Sequence, residues 1–265
     1  MKNNIKFTIF TDVHYNVNHE SVSSKGIKGH ESVKSFPKFI NSLKNSKNDF
    51  IVNLGDLIDE SGEKDLRNLV KLLKLINIPF YNVIGNHELE IANIKTIKKI
   101  LGLKSSYYYK DLKGYRFVFL NCFDTKTSKP DSRRHSRIIG GNISKKQLNW
   151  LQKVLNTKKK VVLFSHKLLA DQNLSKNLIW NKAPQRYTQV ENSKEVRKIL
   201  EKRKNVLAVF QGHIHQNSKN KVNGINYFSI QGFCQNKDYD SKKNASKSFT
   251  EVVINNKGVI IVKER

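Results

Sequence analysis

Residues 50–59, FIVNLGDLID, contain the pattern that decides the fold, because a short apolar run ends in a glycine followed by two carboxylates. The run is short and continuous in its apolar character, which predicts a strand buried on both faces. Asp56 follows Gly55 directly, and Asp59 comes three residues later. An acidic pair at the carboxyl end of a buried strand indicates either a helix cap or a site beyond the edge of the sheet.

The same arrangement recurs at four other predicted strand ends. The blocks are Asp12-Val13-His14 after residues 5–10, Gly85-Asn86-His87-Glu88 after 80–84, Ser165-His166 after 160–165, and Gly212-His213-Ile214-His215 after 206–211. Parallel strands deliver such residues to one edge of a sheet. Neutral imidazole and carboxylate suit divalent Mn, Fe or Zn, and a bridging carboxylate can hold two ions ~3.5–4 Å apart for phosphoryl displacement. Taken alone, each block can equally be a helix cap, a turn or a buried histidine. The five blocks together, in this order, indicate a two-metal site.

Apolar periodicity predicts helices between these strands. One helix has its apolar face at Val33, Phe36, Ile40 and Leu43, with Pro37 near its start. Further helices are predicted over 66–76, 91–101, 144–155 and 190–203, a hairpin over 106–110 and 115–121, and a series of strands over 219–264. We therefore expect an α/β fold in a single domain over residues 1–265, with two sheets and the helices outside them.

The composition excludes several classes of protein. The 265 residues include 49 Lys+Arg and 22 Asp+Glu, a formal net charge of +27, with 38% hydrophobic residues. This is too apolar for a disordered chain, and no apolar run approaches the ~20 residues of a membrane span.

With no recognisable signal peptide, we expect a cytoplasmic protein without membrane contact. The basic residues are 40 Lys and 9 Arg, spread along the chain, so a nucleic-acid partner is possible but not favoured. Cys122 and Cys234 form no disulfide framework and are expected to be small buried packing residues.

The five blocks resemble the calcineurin-like metallophosphoesterase superfamily, whose pattern is D-x-H, G-D-x-x-D, G-N-H-[DE], H and G-H-x-H. All five are present and in order, and they cover residues 12 to 215. The resemblance implies a four-layer α-β-β-α sandwich of two mixed sheets. It also implies two divalent metal ions, with Mn favoured and Fe, Zn or others as alternatives, and a hydroxide bridging them that attacks the phosphorus.

Carried over to this sequence, the resemblance implies roles for nine residues. Seven would be metal ligands, with Asp56 bridging the two ions: Asp12, His14 and His215 on one, and Asn86, His166 and His213 on the other. His87 would lie beside the scissile phosphate and polarise it or protonate the leaving oxygen. Asp59 would orient His87, and a helix cap is its alternative role.

A narrower resemblance concerns the substrate. Residues 140–141 (GG), 147–151 (QLNWL) and 178–181 (LIWN) look like the manganese-dependent ADP-ribose/CDP-alcohol diphosphatases, although those enzymes often carry Gln where this chain has His14. This implies hydrolysis of phosphodiester or pyrophosphate bonds in small nucleotide-type substrates. The alternative is a cyclic-nucleotide phosphodiesterase or nuclease on the same metal centre. A remote alternative is a non-catalytic binding scaffold, against which the complete ligand set argues.

Loops are expected to select the substrate. Arg133, Arg134 and Arg137 are candidates for binding a second phosphate, because Arg binds phosphate in a bidentate manner, although a solvated basic loop is the simpler explanation for each of them. Tyr15, beside His14, and Trp180 are candidates for lining the site, although aromatic residues in loops more often pack internally. The sequence gives no indication of the oligomeric state.

Overall fold

A computed structural model describes residues 4–17, 26–59, 62–124, 140–255 and 257–265. Its strands form two mixed sheets. They are β1 (Ile5–Phe10), β2 (Phe50–Asn53), β3 (Phe80–Asn82), β4 (Tyr108–Leu112), β5 (Tyr115–Phe119), β6 (Lys160–Ser165), β7 (Val206–Gln211), β8 (Ser218–Val222), β9 (Ile225–Ser229), β10 (Thr250–Ile254) and β11 (Ile260–Glu264). The five-stranded sheet has the order β11-β10-β1-β2-β3, and the six-stranded sheet has the order β4-β5-β6-β7-β9-β8.

Helices cover the outer face of each sheet. They are α1 (Gly29–Leu43), α2 (Glu63–Leu73), α3 (Asn86–Ile91), α4 (Ile94–Leu101), α5 (Lys145–Val154), α6 (Gln185–Thr188) and α7 (Ser193–Glu201). The apolar faces of α1, α2 and α4 form one core with the five-stranded sheet, and those of α5 and α7 form another with the six-stranded sheet. A third core lies between the sheets. The predicted four-layer α-β-β-α sandwich is confirmed.

Aromatic side chains join the two sheets. Phe7 of β1 stacks on Phe50 of β2 with ring centroids 4.6 Å apart. Its edges meet Phe117, Phe164 and Phe210 of the opposite sheet at 5.9, 5.9 and 6.0 Å. Such ring pairs stabilise the packing of the two sheets beyond the burial of apolar area. The sheets are thereby held face to face, and the carboxyl ends of their strands keep fixed positions relative to one another.

The first helix differs from the prediction. Pro37 lies in the middle of α1, which begins at Gly29 rather than near the proline. Proline favours the first turn because it lacks an N–H, but an amphipathic face that begins earlier outweighs that preference. Ser32 is already buried on this face, together with Phe36 and Ile40.

Two other predicted helices are divided or shortened. The helix predicted over 91–101 is interrupted, because α3 ends at Ile91 and Asn93 caps α4 by accepting a hydrogen bond from the Thr96 N–H at 3.0 Å. The helix predicted over 190–203 occupies Ser193–Glu201. The hairpin prediction is confirmed, since β4 and β5 pair antiparallel and Leu112 lies opposite Tyr115. The tail also contains the expected strands, β8 to β11.

The parallel strands bring the five polar blocks to one edge. β1, β2 and β3 are mutually parallel in one sheet, and β6 and β7 are parallel in the other. Each block follows the carboxyl end of one of these strands. Within the described part of the chain, none of the helices is both long and apolar enough to cross a membrane.

Candidate active site

The first group of predicted ligands surrounds Asp12. The Nε2 of His215 lies 3.2 Å from the Oδ1 of Asp12, and the Nε2 of His14 lies 3.8 Å from the same oxygen. The two imidazoles face each other, with 3.2 Å between their Nε2 atoms. His14 Nε2 also lies 3.9 Å from the Oδ2 of Asp56. These donor atoms converge on one point beside Asp56.

The second group lies on the other side of Asp56. The Nε2 of His166 is 3.2 Å from Asp56 Oδ2, 3.1 Å from the Nδ1 of His213 and 3.3 Å from the Oδ1 of Asn86. One carboxylate oxygen, Asp56 Oδ2, therefore faces both groups. The structure thus brings together all seven residues for which the sequence predicts metal binding. They form two groups on either side of Asp56, and each group has the members that the resemblance implies.

The loops that carry these residues hold an unusual backbone conformation. Nine non-glycine residues of the described chain have a positive φ, and five of them are predicted ligands: Asp12, His14, Asp56, His213 and His215. Such conformations are costly and persist where surrounding contacts impose them. Here the Asp12 N–H donates to the Gly55 carbonyl and the His14 N–H donates to the Asp56 carbonyl, both at 3.0 Å. The two loops therefore fix each other.

Gly85 allows the third loop to approach the shared carboxylate. A Cβ at this position would lie 2.0 Å from the Oδ1 of Asp56. That oxygen accepts a hydrogen bond from the His87 N–H at 3.0 Å, which leaves Oδ2 to face the two donor groups. The glycine before Asn86 is thus required by contact with Asp56.

Two histidines are oriented by backbone carbonyls. The Nδ1 of His166 lies 2.9 Å from the Leu54 carbonyl oxygen, and the Nε2 of His213 lies 2.7 Å from the Tyr187 carbonyl oxygen. Each nitrogen must carry its proton to donate to that carbonyl, so the other ring nitrogen is left free to bind a metal. His213 therefore faces the site through Nδ1 and His166 through Nε2.

Glu88 is a functional residue that sequence reasoning does not assign. Its carboxylate is buried and accepts hydrogen bonds from three backbone N–H groups, those of Gly85 at 2.8 Å, Asp56 at 3.1 Å and Leu57 at 2.6 Å. It therefore ties the loop after β2 to the loop after β3. The acidic residue after Asn86-His87 is visible in the sequence, but two of its partners, Asp56 and Leu57, lie about thirty residues away along the chain.

Replacing Glu88 by glutamine is expected to lower the free energy of unfolding by about 2–4 kcal/mol. The amide has a single acceptor oxygen for three backbone N–H groups, and its NH2 group would face N–H donors. Urea denaturation of the chelator-treated protein measures this without a contribution from bound metal. Glu251→Gln is the control, since Glu251 is exposed and pairs with Arg265 at the surface, where about 0.5 kcal/mol is expected. Equal losses for the two variants would contradict the role of Glu88.

His87 stands beside the two donor groups and is held by carboxylates. Its Nδ1 lies 2.9 Å from Asp59 and 3.5 Å from Glu90, and its Nε2 lies 4.0 Å from Asp56 Oδ2. The Nδ1 contacts orient the ring so that Nε2 faces the site. Asp59 contacts His87 directly, and its role in orienting that ring stays a prediction.

The charges of the site shift its pKa values. Burial would lower the pKa of His87, but the charge of Asp56 and the hydrogen bond to Asp59 raise it to about 10. Burial also opposes protonation of His166, yet Asp56 raises its pKa to about 9. Burial and the nearby charge of His166 hold the pKa of His213 well below its ordinary value. Metal ions would replace the protons on the ligands, because imidazole binds metal in its neutral form.

The site has the properties of a metal centre. Within the described part of the chain, Asp12 Oδ1 is buried without a hydrogen-bond partner, which is uncommon in a folded protein. Two sets of three residues each offer ligand atoms that lie within 4.8 Å of one another. One set is Asp12, His14 and Asp56, and the other is Asp56, His166 and His213. Imidazole, carboxylate and amide oxygen form a donor set that suits divalent ions of the first transition row.

The predicted substrate-binding residues are distributed differently. The ring of Trp180 lies over His213, with centroids 5.1 Å apart and planes 30° apart. Tyr15 packs against the core beneath α1 and α2, so its contact with substrate stays a prediction. Arg133, Arg134 and Arg137 lie outside the described residues.

Two helix-flanked mixed sheets with two donor groups around one carboxylate define the protein as a dinuclear metallophosphoesterase. The chain belongs to the family described as Calcineurin-like phosphoesterase, whose sequence pattern matches residues 5–217. The match spans all five blocks, and it confirms the resemblance at the level of the superfamily.

Individual relatives share about a quarter of their residues with the chain. A protein of Arcobacter nitrofigilis named "Probable glycerophosphodiester phosphodiesterase" is 25% identical, over 83% of this chain and 76% of its own length. A "3',5'-cyclic-nucleotide phosphodiesterase" of a Nostoc species is 25% identical, over 87% of this chain and 79% of its own. The crystal structure of a dimetal phosphatase from Danio rerio has the same fold, with a TM-score of 0.72, 17% identity and coverage of 98% of this chain and 96% of that one.

Proposed function

We propose that this protein hydrolyses phosphodiester bonds in small substrates, either cyclic nucleotides or glycerophosphodiesters. The observation that carries the proposal is the single carboxylate oxygen, Asp56 Oδ2, that faces both donor groups. The names of the two curated relatives support these substrates and favour the cyclic-nucleotide alternative over the ADP-ribose/CDP-alcohol diphosphatase activity, which neither name supports.

The seven predicted ligands would hold two divalent ions, and we propose Mn²⁺ because carboxylate, amide oxygen and imidazole accommodate it, with Fe or Zn as alternatives. When bound, such an ion pair supplies a water of lowered pKa and neutralises charge on the phosphoryl oxygens. Asp56 is proposed to set the separation of the two sites. The carbonyls of Leu54 and Tyr187 hold the ligand tautomers of His166 and His213.

His87 is proposed to protonate the leaving oxygen. Asp59 and Glu90 hold its Nδ1, and its Nε2 faces the donor groups. A proton on Nε2 can then pass to the departing alkoxide, while Asp59 stabilises the ring in its charged form. Asp59 acts on the reaction through His87 and is therefore a positioning residue.

Trp180 is proposed to distinguish the two substrate classes. The buried Asn177 holds the loop that carries it, because the Nδ2 of Asn177 donates to the Ile214 carbonyl at 2.9 Å and its Oδ1 accepts from the Trp180 N–H at 3.0 Å. The indole is thereby fixed against His213 at the margin of the metal centre. A nucleobase can stack on such a ring, whereas a glycerol group cannot.

Trp180→Ala is expected to raise KM for cyclic AMP about 5- to 150-fold, the range that corresponds to a stacking energy of about 1–3 kcal/mol. The KM for glycerophosphocholine should change little, because that substrate has no aromatic ring. Steady-state kinetics on both substrates provides the measurement. Trp150→Ala is the matched control, since Trp150 packs on Tyr107, with 4.8 Å between the ring centroids. Equal changes in KM for both substrates would contradict stacking.

The proposed function is tested by a substrate panel with the Mn²⁺-loaded protein. Bis-p-nitrophenyl phosphate against p-nitrophenyl phosphate separates diesterase from monoesterase activity. Cyclic AMP, glycerophosphocholine, ADP-ribose, CDP-choline and single-stranded DNA then separate the substrate classes. We expect cyclic AMP or glycerophosphocholine to give the highest kcat/KM. A preference for ADP-ribose or CDP-choline would restore the diphosphatase interpretation, and no hydrolysis with any divalent ion would favour a binding scaffold.

The substrate panel also addresses the basic surface. The net charge of +27 is expected to attract small phosphate-bearing substrates towards the site. If single-stranded DNA is the preferred substrate, its binding should weaken steeply with salt in a gel shift. Contacts from Arg133, Arg134 and Arg137 to a second phosphate belong to the diphosphatase interpretation, because cyclic nucleotides and glycerophosphodiesters carry one phosphate.

A further inference from the structure

Cys234 lies beside the first donor group, although sequence reasoning treats it as a packing residue. Its side chain is fully buried. The Sγ, a ring nitrogen of His14 and a ring nitrogen of His215 all lie within 4.8 Å of one another. Donor atoms this close together can be gathered on one metal ion by small side-chain movements, to ligand distances of ~2.0–2.3 Å.

The backbone holds Cys234 in this position. Its N–H donates to the carbonyl oxygen of Asp12 at 3.2 Å, and its own carbonyl accepts from the Lys28 N–H at 2.9 Å. The preceding residue, Phe233, donates its N–H to the Thr11 carbonyl at 3.0 Å. The segment is thus paired to the same loop that carries Asp12, so the thiol and the first donor group move together.

An atom of this group also points to a missing ligand. Asp12 Oδ1 has no hydrogen-bond partner among the residues that the structure describes, although the Nε2 of His215 lies 3.2 Å from it. Both side chains are well buried, with Asp12 at 0% and His215 at 4% exposure. An unpartnered carboxylate oxygen in a closed space beside a thiol is expected where an ion completes the arrangement.

We propose that the Sγ of Cys234 is a further ligand of the metal ion held by Asp12, His14 and His215. The proposal rests on the metal centre of the proposed function and goes beyond it by adding a sulfur donor. Binding forms a metal–sulfur bond and releases the thiol proton to solvent. Because thiolate is a soft ligand, the first site would favour Zn²⁺, Co²⁺ or Fe²⁺ more than the all-nitrogen-and-oxygen second site does. The two sites would then differ in metal preference.

X-ray absorption spectroscopy of the Zn²⁺-loaded protein tests this directly. The wild type should show a metal–sulfur distance of ~2.3 Å in addition to nitrogen and oxygen ligands. Cys234→Ser should lose the sulfur contribution, and its affinity for the first equivalent of Zn²⁺ should fall at least about 10-fold. The matched control is Cys122→Ser, because Cys122 is equally buried but contacts the Ser165 Oγ at 3.1 Å; this variant should keep the sulfur contribution.

The wild-type spectrum decides the matter even if a variant fails to fold. Two bound Zn²⁺ ions with nitrogen and oxygen ligands alone would overturn the role of Cys234 and leave the proposed function intact. A sulfur contribution that persists in folded Cys234→Ser would also overturn it. Failure of the wild type to bind metal would contradict the proposed function as well.

Discussion

Asp56→Asn is expected to lower kcat/KM for bis-p-nitrophenyl phosphate at least about 10³-fold, the factor that corresponds to losing about 4 kcal/mol of transition-state stabilisation. Asp56 Oδ2 lies 3.2 Å from His166 Nε2 in one donor group and 3.9 Å from His14 Nε2 in the other. An amide carries no charge and offers one oxygen, so it cannot neutralise and bridge two dications. Kinetics and elemental analysis of the same sample measure the two consequences together.

The metal content should fall below two equivalents in Asp56→Asn. Asp238→Asn is the control, because Asp238 is exposed and pairs with Lys243 at the surface, and it should retain both metals and full activity. An Asp56→Asn protein that keeps two equivalents of metal and more than a tenth of the activity would show that another group bridges the ions.

His87→Ala is expected to lower kcat by about 10²- to 10⁴-fold for substrates with a poor leaving group while metal stays bound. The expectation follows from its position, since Asp59 holds its Nδ1 at 2.9 Å and its Nε2 faces the donor groups. A general acid matters less when the leaving group is a stable anion. The loss should therefore be larger for cyclic AMP than for bis-p-nitrophenyl phosphate, and Asp59→Asn should show the same order with smaller losses.

Elemental analysis separates this role from metal binding. His87→Ala should hold as much Mn²⁺ as the wild type, and the exposed control Asp238→Asn should behave as the wild type in both measurements. Loss of metal from His87→Ala would assign His87 to the ligand set, and equal losses of rate for the two leaving groups would contradict its role as the general acid.

The convergence of the ligands could be predicted because strand ends are a local signal. Short apolar runs followed by Asp, Asn or His mark the carboxyl ends of β1, β2, β3, β6 and β7, and a parallel arrangement brings such ends to one edge. The assignment of Asp56 as the carboxylate between the two sets is what the resemblance to the metallophosphoesterases implies, and that resemblance rests on all five blocks in order. No single block is sufficient.

Features that depend on long-range contacts could not be predicted. Glu88 accepts from Asp56 and Leu57, which lie about thirty positions earlier. Ser144 and Gln147 have the spacing of a capping box, and Ser144 does accept from the Gln147 N–H at 3.1 Å. The Gln147 side chain, however, bonds the backbone of Asn121 in the neighbouring loop. Local patterns therefore predict which elements form but miss the side chains that join distant loops.

The substrate was the least predictable part of the site. The sequence similarity around residues 178–181 suggested a diphosphatase, whereas the curated relatives are named for phosphodiester substrates. The metal ligands are shared by all these activities, so they cannot distinguish them. Trp180, whose ring lies over His213, is the residue that we propose to influence that choice.

Anomalous diffraction from crystals of the Mn²⁺-loaded protein tests the central claim most directly. Two peaks ~3.5–4 Å apart are expected, one among Asp12, His14 and His215 and the other among Asn86, His166 and His213, with Asp56 between them. A single peak, or two peaks that do not share Asp56, would contradict the dinuclear site and the mechanism built on it.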